Sequence, residues 1–177
     1  ACKPNCRLNA FIFFLFFKSN WLIFSICNFC KLLFTINFFI LQGFYYFEYE
    51  FTHEELKRHY DFYEPLTVHE SSLSPCIHSI IAAKLGDEQR AYDFYLRTAR
   101  LDLNDYNNDT RDGLHITSMA GTWMTIIKGF AGMEVKNDQL IFNPLLPKNW
   151  KSLSFKINFR DEVKHVFIDK LGLKINE

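Results

Sequence analysis

The hydrophobic pattern of this chain changes period near Gly132, and that change limits the folds that the sequence can form. Before it, apolar residues recur at the spacing of amphipathic helices. After it, apolar and polar residues alternate from Leu153 to Phe159, the pattern of a strand with one buried face. This order predicts a mostly α-helical array followed by a C-terminal antiparallel β part.

Helix-capping residues predict where two of the helices begin. Thr52 is followed three positions later by Glu55, the arrangement of a capping box, so a helix is predicted to start there and to end near Tyr63. Ser74 precedes Pro75, which predicts a second helix with Ser74 as its N-cap and the proline in its first turn.

Two further helices complete the predicted helical part. The second helix is predicted to stop at Gly86, and Asp87 begins a third, so the pair is expected to form an antiparallel αα-hairpin. A last helix is predicted from about His115 to Phe130, with Gly121 permitting close approach of a neighbour. Its predicted buried face comprises Ile116, Met119, Ala120, Trp123, Ile127 and Phe130.

The β part is predicted to contain three strands. A short strand covers Gln139 to Asn143, and a longer one carries the alternating residues that end at Phe159. A turn at Asp161-Glu162 leads into a strand from about Val163 to Asp169.

The first forty residues differ in composition from the remainder of the chain. The 177 residues carry 20 basic and 20 acidic side chains, and this balance argues against a strongly basic nucleic-acid binder. Residues 1–40 nevertheless hold ten of the 20 phenylalanines and no acidic residue. They are rich in residues that AT-only codons encode, so spurious translation of AT-rich DNA is one interpretation. A membrane segment and a signal sequence are the other two.

The spacing of cysteines and histidines does not predict a metal site. Cys27 and Cys30 form a Cys-x-x-Cys pair, but apolar residues surround it and no histidine is near in sequence. His69 and His78 are spaced irregularly with respect to acids and cysteines. We therefore expect no metal and no cofactor. Cys76 is the single cysteine after residue 40, which fits a reducing, cytoplasmic compartment.

A polar segment precedes the second predicted helix. It reads Thr67-Val-His-Glu-Ser-Ser-Leu-Ser-Pro75. Because hydroxyl groups and free N–H groups at a helix N-terminus bind anions, this segment is a candidate anion-binding site. Spacing alone leaves a simpler alternative, in which Ser71, Ser72 and Ser74 only cap the helix.

A second polar segment, Asp112-Gly-Leu-His115, enters the last predicted helix. His115 is predicted either to donate a hydrogen bond to an oxyanion or to act as a capping residue. Glu64, Glu70 and Asp112 are candidate general acids, although no spacing pairs them across a site.

Three stretches of sequence carry a resemblance to an enzyme family. They are LQGFYYFEYEFTHEELKRHYDFYEPLTVHESSLSPCIHSIIAAKLGD, YLRTARLDLNDYNNDTRDGLHITSMAGTW and FNPLLPKNWKSLSFKINFR. With them, residues 41–160 resemble the C-terminal part of the inverting disaccharide phosphorylases, family sixty-five of the glycoside hydrolases. Within that family the chain looks most like the maltose phosphorylases, and trehalose and kojibiose phosphorylases are alternatives.

This resemblance implies a fold and a domain organisation. The expected fold is a partial (α/α)6 barrel followed by an incomplete small antiparallel β-sandwich. Residues 1–40 are expected to be a non-homologous segment, residues 41–132 the C-terminal helices of the catalytic barrel, and residues 133–177 a truncated C-terminal β-domain.

The resemblance also implies an activity and its residues. Such enzymes cleave an α-glucosyl disaccharide with phosphate and invert the anomeric centre, giving β-glucose 1-phosphate and glucose. Ser71, Ser72 and His115 would bind the phosphate. The partners would be phosphate and a disaccharide, and family members are often homodimeric.

The family's general acid lies upstream of the matching part. We therefore expect a C-terminal enzyme fragment that contains no catalytic residue and is inactive alone. The alternative from another functional class is a non-catalytic helical module that residues 1–40 attach to a membrane.

Overall fold

The structure is a computed structural model that describes residues 39–67, 69 and 71–176. Residues 39–46 are helical. The helices that follow are α1 (His53–Tyr63), α2 (Ser74–Lys84), α3 (Glu88–Ala99) and α4 (Ile116–Met124). Short 3₁₀ turns cover Glu48–Glu50, Glu64–Leu66 and Thr110–Asp112. The strands are β1 (Met133–Lys136), β2 (Gln139–Phe142), β3 (Ser152–Phe159), β4 (Glu162–Asp169) and β5 (Gly172–Asn176). The predicted order of helices and then antiparallel strands is confirmed.

Several predictions concern parts of the chain outside the described residues. These are the interpretations of residues 1–38, the Cys27–Cys30 pair and the proposed acid Glu70. Among the helices of the described residues, none combines the length and the apolar character that a membrane crossing requires.

The capping box at the start of α1 is confirmed. The Thr52 hydroxyl oxygen accepts a hydrogen bond from the backbone N–H of Glu55 at 3.2 Å. In return, the backbone N–H of Thr52 donates to the Glu55 carboxylate at 3.1 Å. Two N–H groups that the first helical turn leaves unpaired are satisfied in this way, which fixes the start of the helix.

The start of α2 lies one residue earlier than predicted. Leu73 is the N-cap, Ser74 is the first helical residue, and no side chain caps the helix. The prediction of Ser74 as N-cap is therefore wrong. Its hydroxyl instead lies 2.7 Å from Nδ1 of His69, a tertiary contact that sequence spacing does not reveal.

The connection between α2 and α3 confirms the predicted tight turn. Gly86 has a φ of 77°, and its N–H donates to the carbonyl of Ala83 while the N–H of Asp87 donates to Ala82. This is the Schellman arrangement, which needs a residue in the left-handed conformation. The Asp87 carboxylate then accepts from the N–H of Arg90 at 3.1 Å and caps α3.

The predicted buried face of the last helix is wrong over its first half. Ile116, Met119 and Trp123 are 69%, 48% and 54% exposed, and Ala120 is exposed too. The face that packs instead carries small residues, namely Ser118, Gly121 and Thr125. Ile127 and Phe130, in the π-helical turn Thr125–Phe130 that continues α4, are buried as predicted.

Close approach of two helices explains this choice of face. A Cβ atom on Gly121 would lie 2.9 Å from both Cβ and Sγ of Cys76 in α2, so only glycine fits there. The Ser118 hydroxyl donates to the carbonyl of Thr98 in α3 at 2.8 Å. Large side chains on this face would hold α4 away from α2 and α3. The large side chains of α4 therefore lie on the opposite face.

The strands form two antiparallel sheets, a β1–β2 hairpin and a three-stranded sheet in the order β3-β4-β5. Asn137 and Asp138 turn the hairpin with φ values of 50° and 64°, a conformation that Asn and Asp tolerate. Strands β1 and β5 were not predicted from the sequence. Phe155, Val166 and Ile168 are buried against Ile127 and Ala131, so the three-stranded sheet packs on the end of the last helix.

Candidate functional site

Two segments that are distant in sequence meet at one hydrogen bond. The hydroxyl oxygens of Ser72 and Thr117 lie 3.0 Å apart, although 45 positions separate the two residues. Ser72 immediately precedes the N-cap of α2, and Thr117 is in the first turn of α4. The structure therefore places the first polar segment beside Thr117, two residues after the end of the second polar segment. We call Ser71, Ser72, His115 and Thr117 the serine–histidine site.

The serines of this site do not cap α2. The Ser71 hydroxyl oxygen accepts from the N–H of Leu73 at 3.3 Å, which leaves its own O–H able to donate. Ser72 contacts Thr117, and Ser74 contacts His69. The alternative in which all three serines serve only as helix caps is therefore wrong.

His115 is held by Asp102 through two hydrogen bonds. Its Nδ1 lies 2.6 Å from one carboxylate oxygen of Asp102, and its backbone N–H donates to the other oxygen at 2.9 Å. On the opposite edge of the ring, Nε2 lies 3.4 Å from the Asp109 carboxylate. His115 is the N-cap residue of α4, but its side chain makes no capping hydrogen bond, so the alternative of a capping side chain is wrong.

These contacts change the titration of both partners. The hydrogen bond to Asp102 raises the pKa of His115 above its ordinary value, against a smaller lowering by desolvation, and the nearby charge of Asp109 adds to the rise. The hydrogen bond from the His115 side chain lowers the pKa of Asp102. The imidazolium form is favoured, and that form donates from both ring nitrogens. The imidazole lies at the N-terminus of α4, where the helix dipole favours an anion, and the carboxylates of Asp102 and Asp109 pair with the charge of the imidazolium.

The loop before α4 places the carboxylates that contact His115. The Asp105 carboxylate accepts from the N–H groups of Asp109 and Thr110 at 3.0 and 3.1 Å. Asp105 and Asn108 have φ values of 46° and 56°, which short polar side chains allow. Sequence analysis identified the serines and His115 but missed Asp102, Asp109 and Thr117. The Asn- and Asp-rich composition of residues 104–112 was the available signal.

Of the predicted general acids, Glu64 and Asp112 lie within the described residues, and they have different surroundings. Glu64 begins a 3₁₀ turn, and one of its carboxylate oxygens lies 3.6 Å from the Arg90 guanidinium. Burial is the main cause of its raised pKa. Asp112 is exposed in the turn Thr110–Asp112.

Glu64 lies close to His69 and His78, two histidines whose spacing in the sequence does not predict a metal site. One carboxylate oxygen of Glu64 and one ring nitrogen each of His69 and His78 all lie within 4.8 Å of one another. Burial lowers the pKa of His69 to about 4, with a further effect of the Arg97 charge. Burial likewise lowers the pKa of His78.

Family profiles match both parts of the described chain. Residues 38–124 match the glycosyl hydrolase family 65 central catalytic domain. Residues 133–176 match the C-terminal domain of the same family. The boundary between the two matches lies where the helices give way to strands.

Individual relatives agree with these matches. The chain is 55% identical over 131 residues to the maltose phosphorylase of Bacillus subtilis (strain 168), an alignment that covers 74% of this chain and 17% of that enzyme. It is 48% identical over 121 residues to an α,α-trehalose phosphorylase of Thermoanaerobacter brockii, covering 68% of this chain and 16% of the relative. The chain therefore spans about a sixth of the length of these relatives.

One solved structure has the same fold over the aligned part. It is that of a human-microbiome protein assigned as a kojibiose phosphorylase, with a TM-score of 0.70 and 47% sequence identity. The match covers 74% of this chain and 19% of that one.

Proposed function

The chain belongs to glycosyl hydrolase family 65, and on that premise we propose that its serine–histidine site binds inorganic phosphate in an inverting disaccharide phosphorylase. Phosphate attacks the anomeric carbon of an α-glucosyl disaccharide from the face opposite the leaving sugar. It occupies the place of the base-activated water in an inverting hydrolase. The products are β-glucose 1-phosphate and glucose.

The hydrogen bond between Ser72 and Thr117 is the observation that carries this proposal. It joins the starts of α2 and α4, so the positive ends of two helix dipoles point toward the same place. Turn carbonyls already accept from the N–H groups of Ser74 and Ile116. The hydroxyl groups and the helix dipoles therefore supply the attraction for a tetrahedral anion, and they need no metal.

His115 supplies the positive charge of the proposed site. Asp102 keeps its contact with Nδ1, while a phosphate oxygen takes the position of Asp109 at Nε2. The Asp109 contact is the easier one to exchange, because 3.4 Å is long for a charge-assisted hydrogen bond. A fixed donor that holds the nucleophile in line with the anomeric carbon contributes through orientation and through electrostatic stabilisation.

The remaining catalytic groups belong to other parts of the family's barrel. We assign the general acid to a region that precedes residue 41 in the full-length relatives. Residues 41–132 contribute C-terminal helices of the barrel, and residues 133–177 contribute part of the C-terminal β-domain. The 177-residue chain is inactive alone on this assignment, since positioned proton transfer contributes about 10²–10⁴-fold to such a reaction.

Maltose is the proposed disaccharide. Sequence identity supports it, at 55% to a maltose phosphorylase against 48% to a trehalose phosphorylase. Trehalose and kojibiose are the alternatives, and the identities of 48% and 38% to phosphorylases of those sugars place them after maltose.

A chimera tests the proposed activity with this chain's own residues. The aligned 131 residues of the Bacillus subtilis maltose phosphorylase would be replaced by those of this chain. We expect the chimera to release β-glucose 1-phosphate from maltose only when phosphate is present. A folded chimera that releases no glucose 1-phosphate from maltose, trehalose or kojibiose would contradict the proposal.

The isolated chain provides the complementary test. Purified and supplied with phosphate and each disaccharide, it is expected to release no glucose 1-phosphate above a heat-killed control. Release above that control would show that the general acid lies within these 177 residues.

A further inference from the structure

Glu64, His69 and His78 converge in the interior although they come from three different elements. Glu64 begins a 3₁₀ turn, His69 lies in the loop before α2, and His78 is in the middle of α2. Their three potential ligand atoms lie within 4.8 Å of one another. None of the three is among the four residues of the serine–histidine site, and the proposed phosphate binding uses none of them.

His78 provides an independent indication that the cluster binds something. Its side chain is completely buried, and neither ring nitrogen has a hydrogen-bond partner among the described residues. Buried polar atoms in folded proteins are nearly always paired, because leaving one unpaired is unfavourable. One of the two unpaired nitrogens faces Glu64 and His69 closely enough to share a ligand with them.

Neighbouring side chains orient the histidine rings. Nδ1 of His69 lies 2.7 Å from the Ser74 hydroxyl, which fixes the ring and leaves Nε2 to bind a ligand. The ring of Phe94 packs against both histidines, at centroid distances of 4.8 Å from His69 and 5.3 Å from His78. A hydrogen-bonded second ring nitrogen and an apolar wall are typical surroundings of a metal-binding histidine.

We propose that Glu64, His69 and His78 bind a divalent transition metal, Zn²⁺ in the first instance. Two imidazole nitrogens and one carboxylate suit zinc, whereas Ca²⁺ and Mg²⁺ prefer oxygen ligands alone. Zn–N and Zn–O bonds of about 2.0–2.1 Å place tetrahedral ligand atoms about 3.4 Å apart. The three side chains therefore need to draw together by about 1.4 Å at most, and the flexible Glu64 side chain allows this.

The positive charges of two neighbouring arginines oppose the binding of a metal cation at this cluster but do not prevent it. Arg90 contacts the Glu64 carboxylate at 3.6 Å, and a metal ion competes with it for that group. Arg97 donates to the backbone carbonyl of His69 at 2.8 Å. We therefore expect that removing the Arg90 charge strengthens metal binding at this cluster. Zinc bound to a surface histidine elsewhere would be unaffected by this change.

The experiment is a zinc titration of the full 177-residue chain against a chromophoric chelator. All proteins carry Ser in place of Cys2, Cys6, Cys27 and Cys30, so that thiolates in the first thirty residues do not bind the metal. The expected result is one equivalent of Zn²⁺ per chain. It would be accompanied by a higher melting temperature, because a ligand that binds only the folded state stabilises it.

Four variants decide whether the ion occupies the proposed site. Glu64→Gln and His69→Gln should each weaken binding at least tenfold, and Arg90→Met should tighten it. His165→Gln changes an exposed histidine in β4 and should leave the affinity unchanged. Circular dichroism before each titration establishes that the variant is folded.

Two outcomes would overturn the proposal. The first is no stoichiometric binding by the parent chain. The second is equal affinity in the parent, Glu64→Gln and His69→Gln proteins, which would mean that zinc binds adventitiously elsewhere. Because the titration does not involve phosphate or sugar, its failure would leave the proposed phosphorylase function untouched.

Discussion

Helices α2 and α4 contact each other but are buried to very different degrees. Every residue of α2 from Ser74 to Ala83 is buried. Helix α4 buries only Ser118 and Gly121 within Ile116–Met124 and exposes its large apolar side chains. The comparison shows that, within the described residues, small side chains form the face of α4 that packs, and its apolar stripe is left exposed. Where a helix comes close to its neighbours, small residues determine the contact.

The strongest test of this comparison makes the same substitution in both helices. Ile80 in α2 is fully buried, and Ile116 in α4 is 69% exposed. Ile80→Ala should lower the free energy of unfolding by about 2–5 kcal/mol, because it removes buried methyl groups and leaves a cavity. Ile116→Ala should change it by less than about 0.5 kcal/mol. Denaturant unfolding of both variants measures the difference, and equal losses would mean that α4 buries its apolar face.

The close approach of α2 and α4 can be tested at two glycines. Gly121→Ala places a Cβ atom 2.9 Å from Cβ and Sγ of Cys76, and overpacking of this kind costs about 1–3 kcal/mol. Gly129→Ala is the control in the π-helical turn, because its Cβ atom would lie 3.5 Å or more from its neighbours. Thermal unfolding should show a lower midpoint for Gly121→Ala and no loss for Gly129→Ala. A stable Gly121→Ala protein would mean that the helices are farther apart.

The ion pair at the start of α4 predicts a smaller and pH-dependent effect. The folded-state pKa of His115 is raised, so its contribution to stability is complete below about pH 6.5 and is lost as the pH rises through the raised value. The folded-state pKa of Asp102 is lowered, so its contribution is present above about pH 4 and is lost as the pH falls through the lowered value. Asp102→Asn should therefore destabilise the chain most between about pH 4 and pH 6.5.

Melting temperatures measured across this range provide the check. The difference between the parent and Asp102→Asn should shrink above neutral pH, and proton NMR should show a lower pKa for His115 in the variant. Asp112→Asn, which alters an exposed carboxylate in the turn Thr110–Asp112, is the control. A pH-independent difference would argue against the ion pair.

The smallest stability effect is expected for the exposed face of α4. Ile116→Gln and Met119→Gln, at side chains 69% and 48% exposed, should each change the free energy of unfolding by less than about 0.5 kcal/mol. Because exposed apolar patches promote association, the double variant should self-associate less than the parent. Analytical ultracentrifugation compares the two proteins. Unchanged association would indicate that this face does not mediate contacts between chains.

Local signals in the sequence predicted much of the fold. The capping box of Thr52 and Glu55, the Gly86-Asp87 turn and the alternation that ends at Phe159 all act within a few residues, and each is confirmed. Local rules failed where packing between distant segments determines the structure. The exposed face of α4 is the main example, because the fit of Gly121 against Cys76 is a tertiary property.

The candidate site shows the same difference between local sequence signals and contacts between distant segments. Ser71, Ser72 and His115 were identified because they precede predicted helices. Their hydrogen-bond partners were not identified, because Asp102 is 13 positions from His115 and Thr117 is 45 positions from Ser72. The cluster of Glu64, His69 and His78 was missed for the same reason, since folding and not spacing brings the three side chains together.

The central claim is that the two helix starts bind phosphate, and steady-state kinetics of the maltose phosphorylase chimera tests it most directly. His115→Ala and the double variant Ser71→Ala, Ser72→Ala should raise KM for phosphate, lower kcat, or both, while KM for maltose changes little. His165→Gln serves as the exposed-histidine control and should match the parent chimera. If the His115 and serine variants keep the phosphate KM and the kcat of the parent, the serine–histidine site does not bind phosphate.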